Sequence, residues 1–298
     1  MKQNLTNTTE NKLTAKEIWQ LIRGPNLLII ILTQYLTAIF LIGQNESYTK
    51  FLFDPRLLIL SFSTVCIAVA GYIINDYYDI KIDYLNRPEK VVIGKLIRRR
   101  IALATHWILS LAGIVMGFFI NLEVAAVNLF AAFLLWLYSN QLKRIPFVGN
   151  LSIALLTAMS LLVLLLLYPQ NHMLVFIYAI FAFFINLIRE IIKDIEDLKG
   201  DLAFGCKTLP IIWGIRKTKK FLYLVMIIFI ILLTWLTLKL DNYLLKVYFV
   251  VLAMPAIYFV IKLVRSDSKK DFYYLSIFSK IIMLSGVISM IFFKLLNG

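Results

Sequence analysis

The chain has 298 residues, 61% of them hydrophobic, and a formal net charge of +14. A soluble domain of this length cannot hide such an apolar fraction in one core, so composition excludes an ordinary soluble globular protein. It also excludes a nucleic-acid partner despite the charge, because no basic, aromatic-interleaved polar domain is present to carry one.

The first stretch, residues 1–15 (MKQNLTNTTENKLTA), is polar and lacks the apolar h-region of a signal peptide. It is predicted to be a disordered cytoplasmic tail. From residue 16 to 298 the pattern is that of a single transmembrane domain. Nine apolar segments follow one another, at 27–42, 57–74, 101–120, 124–138, 147–168, 173–188, 221–238, 243–263 and 272–293. A bilayer core of roughly 30 Å needs about 20 helical residues, so each segment is read as a spanning helix. The predicted fold class is all-α: a polytopic bundle of about nine transmembrane helices. Short connections, such as 121–123 and 169–172, imply antiparallel neighbours, and Tyr and Trp recur at segment ends as an interfacial belt would have them.

Positive charge alternates along the connections. The tail with Arg23, the loop 81–100, the pair Lys143 and Arg144, the loop 189–220, and residues 262–270 are basic, while the intervening connections are nearly uncharged. With an odd number of helices all basic loops fall on one side, which the positive-inside rule assigns to the cytoplasm. The expectation is a multi-pass protein of the cell (inner) membrane with its N-terminus inside, its basic face in contact with anionic membrane lipids. Cys66 and Cys206 are far apart, as are His106 and His172, so none of them forms a metal or redox motif.

The acidic residues carry the chemistry. After the second segment the chain reads NDYYDIKIDYLNRP, placing Asp76, Asp79 and Asp83 at i, i+3 and i+7; after the sixth it reads REIIKDIEDLKGD, placing Asp194, Asp197 and Asp201 at the same spacing. On a helix this spacing aligns each trio along one face, where like charges repel unless a cation lies between them. Both rows belong to the cytoplasmic ends of their helices, so they can oppose each other across one cavity. Hard divalent cations suit such rows, Mg²⁺ above all, which binds through one or two carboxylates plus substrate phosphates. The chemistry this allows is ionisation of a diphosphate ester, with Arg87, Lys143, Arg189 and Lys193 as candidate donors to the leaving group.

At these residues the sequence resembles the UbiA superfamily of intramembrane prenyltransferases, marked by an NDxxDxxxD motif after the second helix and a DxxxD-containing motif after the sixth. Residues 75–83 match the first and residues 194–201 the second. The resemblance extends to Arg23 and Asn26 entering the first helix and to a Tyr/Lys loop after the fourth. It implies that the six aspartates hold Mg²⁺ and through it a prenyl diphosphate, that Asn75 supports the metal's surroundings, that Lys143 contacts the diphosphate, and that Asn26 belongs to the substrate site. In many members the Tyr lies four residues before the Lys, whereas Tyr138 lies five before Lys143. Within the superfamily the two stretches look most like the geranylgeranylglyceryl phosphate geranylgeranyltransferase branch, although its RP-[IL]-x-x-G continuation is altered here to EKVVIGK. The resemblance implies a prenyl, likewise geranylgeranyl, transfer to a membrane-held acceptor. A lipid phosphate is the first expectation for that acceptor and an aromatic quinone precursor the alternative. Outside the enzyme class the alternative is a transporter, whose charged sites belong nearer mid-membrane. Two further features await placement: the basic residues Lys90, Lys95 and Arg98 to Arg100, expected as topology signals, and Lys280, a lone charge inside the last apolar segment.

Overall fold

The computed structural model describes residues 14–240 and 243–295. Of the tail expected at 1–15, residues 1–13 lie outside the described residues. The described chain is helical throughout its regular structure. It begins with α1 (Ala15–Leu21), closed by Thr14 and Glu17, whose Oε2 accepts from the Thr14 amide at 2.7 Å. Arg23 turns the chain through a left-handed conformation (φ 51°) into α2 (Gly24–Leu36), which continues as a π-helical segment to Ile42.

After the short α3 (Tyr48–Leu52) comes α4 (Pro55–Asn86). Asp54 caps it by accepting from the Arg56 amide at 2.9 Å, and Pro55 fits the first turn because its missing N–H needs no partner there. At 32 residues α4 is about 48 Å long, well beyond a hydrocarbon core of about 30 Å. Its surplus turns carry Asp76, Asp79 and Asp83. Then follow α5 (Arg99–Phe118), α6 (Leu122–Asn140), α7 (Val148–Leu162, running on as a 3₁₀ turn to Leu166) and α8 (His172–Glu196). The short α9 (Leu198–Ala203) precedes α10 (Leu209–Leu240), α11 (Tyr243–Arg265) and α12 (Lys269–Leu295).

Eight of these helices are long and apolar enough to cross a membrane, and α11, with 23 residues, has the length to be a ninth. All nine expected segments thus fall on long helices. Large apolar side chains point outward on them, among them Trp107, Ile108 and Leu111 on α5 and Leu224, Ile227 and Ile231 on α10. A contiguous apolar exterior of this kind belongs in lipid. The centre of the bundle is α8, packed against α7, α10 and α12, while α4 packs against α2, α5, α6 and α9.

Two local expectations change. The basic stretch before residue 221 is helical: α10 starts at Leu209, bends at Gly214 (φ 75°) and then runs on through Lys217 and Lys220, good helix formers whose chains reach past an apolar run into the polar interface. The second acidic row is likewise not on one helix. α8 ends at Glu196, Asp197 leaves the helical region (φ −93°, ψ 5°), and Asp201 belongs to α9. Asn86, the last residue of α4, holds this break from the side: its amide donates to the Asp197 carbonyl at 3.3 Å and its Oδ1 accepts from the Gly200 amide at 3.1 Å. Glycine is required at 200 because a Cβ there would run into the Asn86 side chain.

Candidate active site

A cavity of about 260 Å³ opens among α2, α4, α6, α7, α8 and α12. Asp79 and Asp83 from α4 line it, as do Asp194, Asp197 and Asp201 from α8, the break and α9. The two acidic rows therefore do meet at one cavity. Asp76 stands apart from the lining: its Oδ1 accepts from Arg23 Nη2 at 3.0 Å, and Arg23 in turn lies over the Tyr72 ring at 4.7 Å. Asn75 and Tyr138 both face the cavity, so the five-residue spacing to Lys143 does not carry the tyrosine away.

Each candidate donor has a partner. Lys143, on the 3₁₀ turn after α6, donates to Asp79 Oδ2. Burial opposes its ammonium charge, but Asp79 overcomes this and holds the lysine pKa well above its ordinary value. Arg87, a candidate donor, lines the cavity and is also held within the protein. Its Nη2 bridges Glu196 Oε1 at 2.6 Å and Asp197 Oδ1 at 3.0 Å, tying the end of the first acidic motif to the second. Arg189 Nη1 donates to Glu190 Oε1 at 2.5 Å and Lys193 Nζ to its Oε2 at 3.4 Å. Asn26 accepts from Lys280 Nζ at 3.1 Å and donates to the Tyr72 hydroxyl at 3.4 Å. Lys280 therefore belongs to the polar end of the cavity, level with the first turn of α2. Lys95 and Arg98 to Arg100 are exposed and outside the lining.

Sequence reasoning missed Glu190, Asn150 and Asn86. Asn150 Nδ2 donates to Asp194 Oδ2 at 2.8 Å. A polar residue breaking the apolar run of α7 is the one local signal that marks it. Around Asp201, burial, helped by Asp197 and Asp79 against Lys143, pushes the carboxyl pKa up to about 6. Among the described residues no three carboxylates, histidines or cysteines converge tightly enough to hold a metal by themselves. That donor set still fits Mg²⁺, which uses one or two carboxylates per ion and completes its shell with phosphate oxygens and water.

Below this head the lining turns apolar: Ile29 and Ile30 of α2, Leu135 of α6, Phe181 of α8, and Met283 and Met290 of α12. From Lys280 to Met290 the lining descends ten residues of α12, about 15 Å. Fold and site together define a polytopic membrane protein whose cavity suits an amphiphile, with anions handled at one end and a long apolar tail received along the other.

The chain belongs to the UbiA prenyltransferase family, whose model matches residues 32–281. It is 34% identical over 276 residues to the digeranylgeranylglyceryl phosphate synthase of Methanosphaera stadtmanae, covering 91% of this chain and 96% of that one. To the enzyme of the same name from Thermococcus sibiricus it is 40% identical over 150 residues, about half of each chain (50% and 53%). Among solved structures, one from work on digeranylgeranylglyceryl phosphate synthase in membranes superposes with a TM-score of 0.70 at 26% identity, over 93% of this chain and 96% of that one. A UbiA homologue from Archaeoglobus fulgidus, bound to DMAPP and Mg²⁺, shares the fold with a TM-score of 0.69 at 20% identity, over 92% and 99%.

Proposed function

We propose that this protein transfers a geranylgeranyl group from its diphosphate to the free hydroxyl of geranylgeranylglyceryl phosphate, in the cell membrane and with Mg²⁺. The observation that carries the reading is the cavity itself, with two aspartate rows at its head and an apolar floor. The names of its relatives point the same way, as do the Mg²⁺ and prenyl diphosphates held by A. fulgidus homologues. Residues 16–298 act as one domain in this reading. The basic loops favour the site on the cytoplasmic side with the N-terminus.

Asp79, Asp83, Asp194, Asp197 and Asp201 would hold Mg²⁺, with Asp76 supporting them through Arg23 and Asn75 lying beside them. The bound ion supplies charge neutralisation for the leaving diphosphate. Lys143, already drawn to Asp79, can turn one donor to a phosphate oxygen. As the bond from C1 to the diphosphate oxygen breaks, that oxygen leaves with the electron pair. The acceptor oxygen then forms the new bond to C1 and gives up its proton to water. Phe181, Tyr138 and Tyr178 present aromatic surface along the cavity in which cationic character on the allyl group is tolerated. Carboxylates gathered at one end of the spans, not half-way along, favour an enzyme over a transporter.

Purified protein given labelled geranylgeranyl diphosphate and Mg²⁺, with geranylgeranylglyceryl phosphate or dihydroxynaphthoate in parallel, tests the reading. Labelled diether lipid is the expected product. Label only in the aromatic product would overturn the acceptor, and no product with no diphosphate released would overturn the activity.

Chelation is expected to abolish turnover and added Mg²⁺ to restore it. The Mg²⁺ concentration for half-maximal rate should rise as pH falls through about 6, because a proton on Asp201 then competes with the metal. A half-maximal concentration unchanged between about pH 8 and pH 5.5 would remove Asp201 from the metal's ligands.

A further inference from the structure

Besides the aspartates and Lys143, the cavity is lined by Arg189 and Lys193 from α8 and by Lys280 from α12. Among the described residues the one carboxylate that hydrogen-bonds to any of these three cations is Glu190. Both Glu190 oxygens are already taken, by Arg189 at 2.5 Å and Lys193 at 3.4 Å. Lys280 has the neutral Asn26 Oδ1 at 3.1 Å, and among the described residues it forms no ion pair. Lys193 has Glu190 and the neighbouring aspartates to balance it, whereas the Lys280 ammonium has no carboxylate in contact and is left without a direct counter-ion. Holding an ammonium there without a counter-ion is costly, and the cost is recovered when an anion arrives.

We infer that Lys280, Arg189 and Lys193 form a second anion site, distinct from the aspartate end, that takes the phosphomonoester of the acceptor lipid. This deepens the proposed function and rests on it. The placement suits the geometry of the reaction. The acceptor hydroxyl must reach C1 of the prenyl chain, and its phosphate is carried on the neighbouring glycerol carbon. That phosphate therefore has to bind beside the diphosphate without sharing its metal. Lys193 and Asp194 are adjacent on α8, so one helix carries the border between the two ends. Asn26, through Tyr72, anchors the Lys280 head to the wall that Arg23 shares, which leaves two of its three N–H donors for phosphate oxygens. A neutral acceptor would leave that charge unanswered, which makes Lys280 a specificity-determining residue.

The test compares wild type and Lys280→Met, with Lys280→Arg as the charge-retaining control. Each is assayed for turnover and for direct binding of geranylgeranylglyceryl phosphate and of dephosphorylated geranylgeranylglycerol. Wild type should bind the phosphate lipid at least about tenfold more tightly than the alcohol, the size of one charge-assisted hydrogen bond. Lys280→Met should lose that preference and raise KM for the phosphate acceptor by about the same factor. Its KM for geranylgeranyl diphosphate should stay unchanged, and Lys280→Arg should retain the preference. An equal preference in Lys280→Met, or a KM increase falling on the prenyl diphosphate instead, would overturn the inference. So would a wild type that binds both lipids alike, a result that needs no variant to fold. A wild type that binds the phosphate lipid selectively yet alkylates only an aromatic acceptor would sink the proposed function and leave the anion site standing.

Discussion

Asp194→Asn is expected to lower turnover by a thousandfold or more, about 4 kcal/mol of transition-state stabilisation, while leaving the protein folded and inserted. Asp194 is the first carboxylate of the second motif, on the last turns of α8, and lines the same cavity as Asp79 and Asp83 of α4. An amide in its place keeps a carbonyl oxygen for Asn150 Nδ2, now 2.8 Å away, so the local hydrogen bond survives. What is lost is the charge, and charge is what a hard cation needs from this position. Stability should move the other way. Removing an anion from a buried site lifts a desolvation penalty, so in the absence of Mg²⁺ the variant should melt no lower than wild type. Diphosphate release by purified protein and a melting curve in the same detergent check both halves. Turnover within about tenfold of wild type would remove Asp194 from the metal site. Asp76→Asn should be milder, because Asp76 acts through Arg23 and does not face the cavity.

The contrast between those two aspartates shows how far sequence carries. The apolar runs and the repeated i, i+3, i+7 spacing were enough to foresee the long helices and the meeting of two acidic rows, because both depend on local periodicity. Ranking Asp194 above Asp76 was not possible, since it depends on which wall each side chain faces once α2 has packed beside α4. The break at Asp197 was hidden for a similar reason. REIIKDIEDLKGD reads as continuous helix, and the residue that stabilises the interruption, Asn86, is more than a hundred positions earlier. Glu190 lay in plain view within the motif but outside its spacing. Its role as counter-ion to Arg189 and Lys193 emerges only when α8 is wound and the spare charge of Lys280 arrives from α12.

Arg87 is the clearest long-range case, and its replacement carries the second large effect. Arg87→Met is expected to cost about 3 kcal/mol of unfolding free energy, at the lower end for a broken buried pair because 26% of the Arg87 side chain stays exposed. Its partner Glu196 is only 3% exposed, so the loss strands a carboxylate that water cannot reach. Burial opposes the guanidinium charge, yet Asp197 and Glu196 together raise the Arg87 pKa, so this clamp persists at any pH the carboxylates survive. Activity should fall as well, since Arg87 joins the end of the first motif to the break in the second and so sets the distance between the rows. Adding Glu196→Gln to Arg87→Met separates the two consequences. The stranded charge disappears, so the double variant should regain much of the lost stability, a coupling that a double-mutant cycle reads directly. It should not regain the activity, because Asp197 still lacks its tether. An Arg87→Met variant that unfolds within about 0.5 kcal/mol of wild type would mean that the clamp is a solvated pair of little weight. A double variant restored in both stability and turnover would mean that Glu196, and not the spacing of the aspartates, is what Arg87 serves.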